Sequence, residues 1–404
     1  MGLILIILGI SSIFFRSYYD LNGNLTHDSF HYLGMAKSIT NGNIVSYKVT
    51  ENDSLIFIRA WPLGYPVSIA IISFITNTSV FWASKFANAF FLFLIYLLIR
   101  HNNNRGNHLF DLSLLFIGEL IIIYSFTWSE SGFLAALFLL SHLTSKEKLP
   151  RTWALTLATI SLFFFRYIGV YSILYFIIML VIRKEKPILI KTLIITFSFI
   201  LFYFLMLKYT SGHFLGVERT GYVQTRFELL WETTRSFISQ FSFFSFRHIE
   251  GRFGFWLFII GTMPFILLVY YFTNTLMFKW KKLTEKLKDD NRKFNFYHHL
   301  LINGISYFIV YFGVIIILNH PFGAASRFLL VGLIPILISI NNLAIQINPG
   351  RLCNITQWTL TTFAFLSISY YGFIVPYNSK ESYLNPNSNP ELIRKEHQIY
   401  LKFN

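Results

Sequence analysis

The chain alternates long apolar runs with short polar interruptions, and that alternation is its strongest structural signal. Eleven runs are predicted to span a membrane, at 3–19, 80–99, 109–126, 130–144, 152–165, 167–182, 189–208, 253–276, 299–318, 327–345 and 354–375. Several are shorter than the ~20 residues that cross a bilayer upright. Two pairs nearly abut, at Trp128-Ser129-Glu130 and at Arg166-Tyr167, which predicts tight helical hairpins or partly re-entrant segments. Residues 67–78 are a further stretch able to enter the membrane. One long segment breaks the pattern: Thr26 to Pro66 mixes polar and apolar positions directly after the first run. Asp28 opens a predicted amphipathic helix there. Tyr32, Met35, Ala36 and Ile39 share one face, and His31, Gly34, Ser38 and Asn41 share another. Asn41-Gly42 supplies its stop. A helix of this kind beside a span is expected to lie in the bilayer interface.

Composition fixes the class. The 404 residues are 54% hydrophobic and 13% charged, with a mean hydropathy of +0.53, whereas soluble domains carry about 25% charge. An all-α polytopic membrane protein of about eleven transmembrane helices is expected. The net charge of +15 has the size of a nucleic-acid signal, but its placement excludes that partner. Seventeen basic residues, from Arg100 to Arg351, fall in alternate short loops, while the three short loops between them hold only Arg166 and Arg327. The basic side faces the cytoplasm. This orientation puts the N-terminus inside and residues 20–79, the 209–252 loop and the tail 376–404 outside. Residues 1–375 then form one bundle. Within the second loop, Phe227 to Phe244 has the period of another interfacial helix, and Pro390 to Tyr400 in the tail is expected to be helical. Arg16-Ser17-Tyr18-Tyr19 reads as an interfacial edge without a signal-peptide cleavage site, so the first span is expected to stay uncleaved. A single cysteine, Cys353, excludes an intramolecular disulfide.

With no soluble domain, chemistry falls to the polar residues at the span ends and to any inside the bundle. Asp28 reads either as a helix N-cap or as a general base at the mouth of an outer-face cavity. Asp20, nearer the first span, competes with it. Glu130 lies at another outer turn. Glu119 falls mid-span, where an ionisable group is costly, and Asp111 sits at the cytoplasmic end of the same run. The outer-face arginines Arg59, Arg166 and Arg327 are either interfacial anchors or phosphate ligands, a task suited to the guanidinium fork. His27 and His31 flank Asp28 at metal-ligand spacing, which equally describes a polar helix face. His320 lies near Arg327 as a hydrogen-bonding candidate. No phosphate-binding glycine-rich motif is present.

Asp28-Ser29-Phe30-His31-Tyr32, then Ala36 and Gly42, followed by Trp61-Pro62-Leu63-Gly64-Tyr65-Pro66, resembles the opening of the GT-C superfamily of membrane glycosyltransferases. Protein O-mannosyltransferases and the lipid A aminoarabinose transferase belong to that group. Here Ser29 stands where a second acid is usual, and Pro62 lacks an adjacent proline. The resemblance implies a GT-C-like bundle and a polyprenyl-phosphate-linked sugar donor. It implies an outer-face acceptor (lipid, glycan or protein) for a cell-envelope glycan, in a bacterial cytoplasmic membrane among membrane lipids. Asp28 would act as base in an inverting displacement. Arg59, Tyr65, Glu130, Arg166, His320 and Arg327 would bind substrate or phosphate. Arg327-Phe328 resembles the family's arginine–aromatic pair before a late span. A divalent cation is a possible cofactor. The competing classes are a polysaccharide polymerase or ligase using lipid-linked glycans, and a lipid-linked-glycan flippase or transporter, which would place ionisable or Gly/Pro-broken positions at the midplane.

Overall fold

The computed structural model describes residues 1–20, 24–43, 46–47, 56–57, 61–103, 108–117, 120–214, 225–244, 251–288, 295–318, 326–347 and 350–374. Fifteen helices occur among them. The first seven are α1 Gly2–Tyr19, α2 His27–Thr40, α3 Gly64–Thr76, α4 Val80–Asn102, α5 His108–Ser113, α6 Leu120–Ser125 and α7 Glu130–Thr144. The others are α8 Thr152–Phe165, α9 Ser172–Ile182, α10 Lys186–Ser211, α11 Arg226–Ser239, α12 Gly251–Lys288, α13 Phe296–Leu318, α14 Ser326–Ile347 and α15 Arg351–Ser369. A two-residue antiparallel ladder pairs Ser46 with Phe57 and Tyr47 with Ile56.

Among the described residues, six helical segments are long and apolar enough to cross a membrane: Gly2–Tyr19, Val80–Asn102, Lys186–Thr210, Phe255–Thr275, Phe296–Ile315 and Arg327–Gln346. The architecture is thus that of an α-helical membrane-embedded protein. Helix ends follow local chemistry. α10 starts with Pro187 in its first turn and stops at Gly212, whose φ of 76° needs the freedom of glycine. α2 runs into Asn41 and Gly42, the predicted stop.

Two expectations change. The run 109–126 is not one helix. α5 passes through a 3₁₀ turn at Leu114–Phe116 and ends where Ile117 is extended (ψ 128°), before α6 begins. Averaged hydropathy passes over the break, although Gly118-Glu119 follow Ile117 directly inside the otherwise apolar run. Nor does α2 lie half-exposed in an interface, since every residue from Ser29 to Ala36 is buried. α11 keeps the interfacial pattern instead. Phe227, Trp231 and Ile238 are exposed, while Thr233, Ser236 and Gln240 face inward. That is the arrangement of a helix with apolar surroundings on its outer side.

The bundle has a centre and a periphery. The apolar stretch of α14 is 83% buried, against 28% for those of α10 and α12. α7 is enclosed from Glu130 to Phe138. The two enclosed helices α7 and α14 both begin with the charged residues described next.

Candidate active site

Four charged side chains that are far apart in sequence meet at one end of the bundle. Arg327, at the start of α14, donates from Nη2 to Asp28 Oδ2 at 2.6 Å across 299 residues of chain. Its Nε lies 3.5 Å from Glu130 Oε1. Arg166, the C-cap of α8, donates from Nη1 to that same oxygen. The order Asp28–Arg327–Glu130–Arg166 is a linear array of alternating charge. Glu130 is the enclosed member at 3% side-chain exposure, whereas Arg327 and Asp28 keep 20% and 31%. A carboxylate so withdrawn from water is tolerable because two guanidinium groups satisfy it.

Local structure explains how each piece arrives. Thr26, not Asp28, is the N-cap of α2, with its hydroxyl accepting from the Ser29 amide. Asp28 therefore stands in the first turn with its carboxylate bonded to Arg327. Asp28 and Glu130 both occupy first turns, where the positive end of the helix dipole favours a negative group. Glycine brings Arg166 to Glu130. A Cβ at Gly132 would lie 2.4 Å from the Phe165 ring, and one at Gly169 would lie 2.4 Å from the Leu162 backbone. Only with hydrogen at both sites can α7, the end of α8 and the turn after it close this tightly.

Aromatic faces complete the setting. The Arg327 guanidinium sits 4.3 Å from the Trp128 ring centroid and 4.8 Å from Phe328, and Arg166 sits 4.1 Å from Phe328. Trp128 is anchored through its indole N–H, which donates to Thr26 Oγ1 at 2.7 Å. The Tyr32 hydroxyl is 3.2 Å from Ser129 Oγ. Burial pushes the Tyr32 phenol up to about 12, an effect that Arg166 opposes and that Asp28 and Glu130 reinforce.

The other sequence candidates are placed differently. Tyr65 lies one layer behind, edge-on to Tyr32 at 5.4 Å, with its hydroxyl on Asn88 Oδ1 (2.9 Å) and the Ser84 carbonyl (3.3 Å). Arg59, Glu119, His320 and the tail 376–404 lie outside the described residues. His31 stacks on Trp61 at 3.8 Å and pairs with the Tyr47 hydroxyl at 2.8 Å, a polar helix face rather than a ligand set. Among the described residues no three His, Cys, Asp or Glu side chains converge as a metal site. The donor set of the array does not fit a divalent cation, because its two carboxylates already face two guanidinium groups.

Sequence reasoning passed over Lys85, which lies six residues into an apolar helix and is 0% exposed. An ionisable residue at such a position is itself the signal. It also left Asp111 unexplained as a residue near a span end. The structure buries Asp111 fully and surrounds its carboxylate with donors. No known protein family matches the chain, and neither a curated protein nor a solved structure matches it.

Proposed function

We propose that the protein is a membrane glycosyltransferase that moves a sugar from a polyprenyl-phosphate donor to an outer-face acceptor hydroxyl, with inversion. The observation that carries this reading is the Asp28–Arg327–Glu130–Arg166 array, two carboxylates alternating with two guanidinium groups that keep 18–20% of their surface open. A displacement at an anomeric carbon needs both kinds of group. Asp28 takes the acceptor proton as the acceptor oxygen bonds to the anomeric carbon. The bond from that carbon to the phosphate oxygen breaks, and the polyprenyl phosphate leaves with the electron pair. Arg327 and Arg166 stabilise the charge that collects on it. In the free enzyme Asp28 neutralises Arg327. An entering phosphate competes for that guanidinium, so donor binding also releases the base. Glu130 then holds the two arginines side by side through its one oxygen Oε1.

The finer topology belongs to the same reading. The six long helices are joined by the broken α5–α6 segment and by α7, α8, α9 and α15 as the remaining spans of an eleven-span bundle. The N-terminus is cytoplasmic and the array faces outward in a bacterial cytoplasmic membrane. The test is single-turnover transfer from radiolabelled polyprenyl-phosphate sugars in reconstituted membranes, with lipid extracts of a deletion strain identifying the missing product. Asp28→Asn is expected to slow transfer by about 10²–10⁴-fold, the usual contribution of a positioned base. Transfer undiminished by that change removes the mechanism.

A further inference from the structure

We infer that Lys85 and Asn88 of α4 are positioning residues that set Trp128 and Glu130 by gripping the strap between α6 and α7. α6 ends at Ser125 and α7 begins at Glu130, so the carbonyls of the last turn of α6 and of Phe126 after it need partners from outside the helix. In an apolar bundle those partners must come from the protein. α4 supplies them for three successive residues. Asn88 Nδ2 donates to the Tyr124 and Phe126 carbonyls at 2.8 and 2.7 Å, and Lys85 Nζ donates to the Ser125 carbonyl at 2.7 Å and to Thr127 Oγ1 at 3.1 Å.

Asn88 grips the strap on both sides of the reactive residues. Its Oδ1 accepts from Ser131 Oγ at 2.6 Å and from Tyr65 Oη at 2.9 Å, so the two donors and two lone pairs of the amide are all used. Trp128, Ser129 and Glu130 lie between the carbonyls it holds and the Ser131 it holds. A side chain saturated in this way has one orientation, and the strap inherits it. Phe126, fixed through its carbonyl, stacks on Trp128 at 4.3 Å, and Trp128 in turn faces Arg327. Lys85 and Asn88 are both 0% exposed, and besides the bond of Asn88 to Tyr65 and the Phe81 ring beneath Lys85 their side chains bond the strap and Ser131. The consequence for sugar transfer rests on the proposed function, but the positioning itself does not.

The experiment uses the full chain in detergent micelles, labelled with 5-fluorotryptophan. Trp128 is one of eight tryptophans, and its fluorine resonance is assigned by Trp128→Phe. Asn88→Leu and Lys85→Met are expected to displace that resonance. Asn303→Leu, which removes an equally buried amide that bonds Ser141 on α7 at 2.7 Å, is expected to leave it in place. An unmoved resonance in folded Asn88→Leu protein overturns the inference, and so does an equal displacement by Asn303→Leu. If Asn88→Leu does not yield folded protein, Ser131→Ala deletes one bond to Asn88 and carries the same expectation and the same refutation. A second arm measures transfer. Asn88→Leu combined with Glu130→Gln is expected to lose no more activity than Glu130→Gln alone, because the two lie on one line of action. Multiplied losses overturn the inference. Absence of transfer by the unaltered protein would end the transferase reading and leave the fluorine result standing.

Discussion

Glu130 and Asp111 are both carboxylates withdrawn from solvent, at 3% and 0% exposure, and α4 serves both of their surroundings. Near its start, Lys85 and Asn88 hold the strap that carries Glu130. Past its end, Asn103 donates to Asp111 Oδ2 at 3.2 Å. Along the helix axis the two levels are separated by about 21 Å, taking 1.5 Å per residue from Asn88 to Asn102. The partners differ in kind. Glu130 answers two guanidinium groups, one of which is also bound to a third, part-exposed carboxylate. Asp111 is met by neutral donors: the Tyr297 hydroxyl at 2.9 Å, the Asn341 amide at 3.0 Å and Asn103. Neutral donors hold an anion in place but offer an incoming anion no net charge. Cations with 18–20% of their surface open can exchange one anion for another. On the proposed function the first cluster admits an incoming phosphate, whereas the second ties the α4 end to α5, α13 and α14.

The sharpest way to break this contrast is to remove the shared cation. Arg327→Met is expected to lower transfer by about 10²–10³-fold, the cost of deleting one preorganised charge donor at a developing anion. Arg327→Lys, which keeps the charge and loses the fork, should recover only part of that. Full activity in Arg327→Met would show that the array is structural. The matching change at the other end is Asp111→Asn. It leaves Asn341 and Asn103 facing an amide and should cost about 1–3 kcal/mol of stability, read as a lowered unfolding midpoint in detergent. Transfer per folded molecule should stay near that of the unaltered protein. A fall comparable to that of Arg327→Met would erase the distinction between the two clusters.

Much of the first cluster was legible because its members interrupt apolar runs. Glu130, Arg166 and Arg327 each stand at a run's edge, where a polar residue is conspicuous, and Asp28 opens the one long segment that breaks the apolar pattern. Their convergence was not legible, since it depends on packing across up to 299 residues. Helix positions followed hydropathy except at Ile117, an extended residue just before Gly118-Glu119, and at α12, which runs past the predicted 276 through the basic stretch to Lys288. The cap of α2 was misread for a local reason: Thr26 and Asp28 are two residues apart and both are good capping types, and only backbone geometry separates them. The enclosure of α2 was hidden because periodicity reports which face is apolar, not what covers the other. Lys85 and Asp111 were visible as letters but not as partners, because a buried ion's meaning lies in the groups around it.

Close approach between helices is a smaller lever on the same contrast. Gly169→Ala would place a methyl about 2.4 Å from the Leu162 backbone, which has no rotamer to yield. The turn carrying Arg166 must then move, at a cost of about 1–3 kcal/mol for overpacking. Unfolding midpoints measure that cost, and transfer should fall with it because Arg166 leaves Glu130. The Asp111 end should be indifferent, so that Asp111→Asn and Gly169→Ala add in the double variant. A stability equal to that of the unaltered protein would mean the α8–α9 turn is looser than its geometry implies.

The smallest effect concerns Tyr32, the neutral neighbour of the array. Its hydroxyl pairs with Ser129 at 3.2 Å, so Tyr32→Phe should cost about 0.5–1.5 kcal/mol near neutral pH. Burial disfavours the phenolate and pushes the Tyr32 phenol up to about 12, above the ordinary phenol value of 10.0. With the folded value raised, the unfolded chain releases this proton first as pH climbs. The contribution of Tyr32 is therefore complete below pH 10 and fades between pH 10 and about 12. Phenylalanine has no proton to lose, and the remaining tyrosines cancel when the two proteins are compared. The difference between their unfolding midpoints should thus be constant up to pH 10, shrink above it and reverse sign before about pH 12, because about 1.4 kcal/mol is lost per pH unit in that window. A difference that stays flat to pH 12 would mean the phenol is hydrated in the folded protein and that water already reaches behind the arginines.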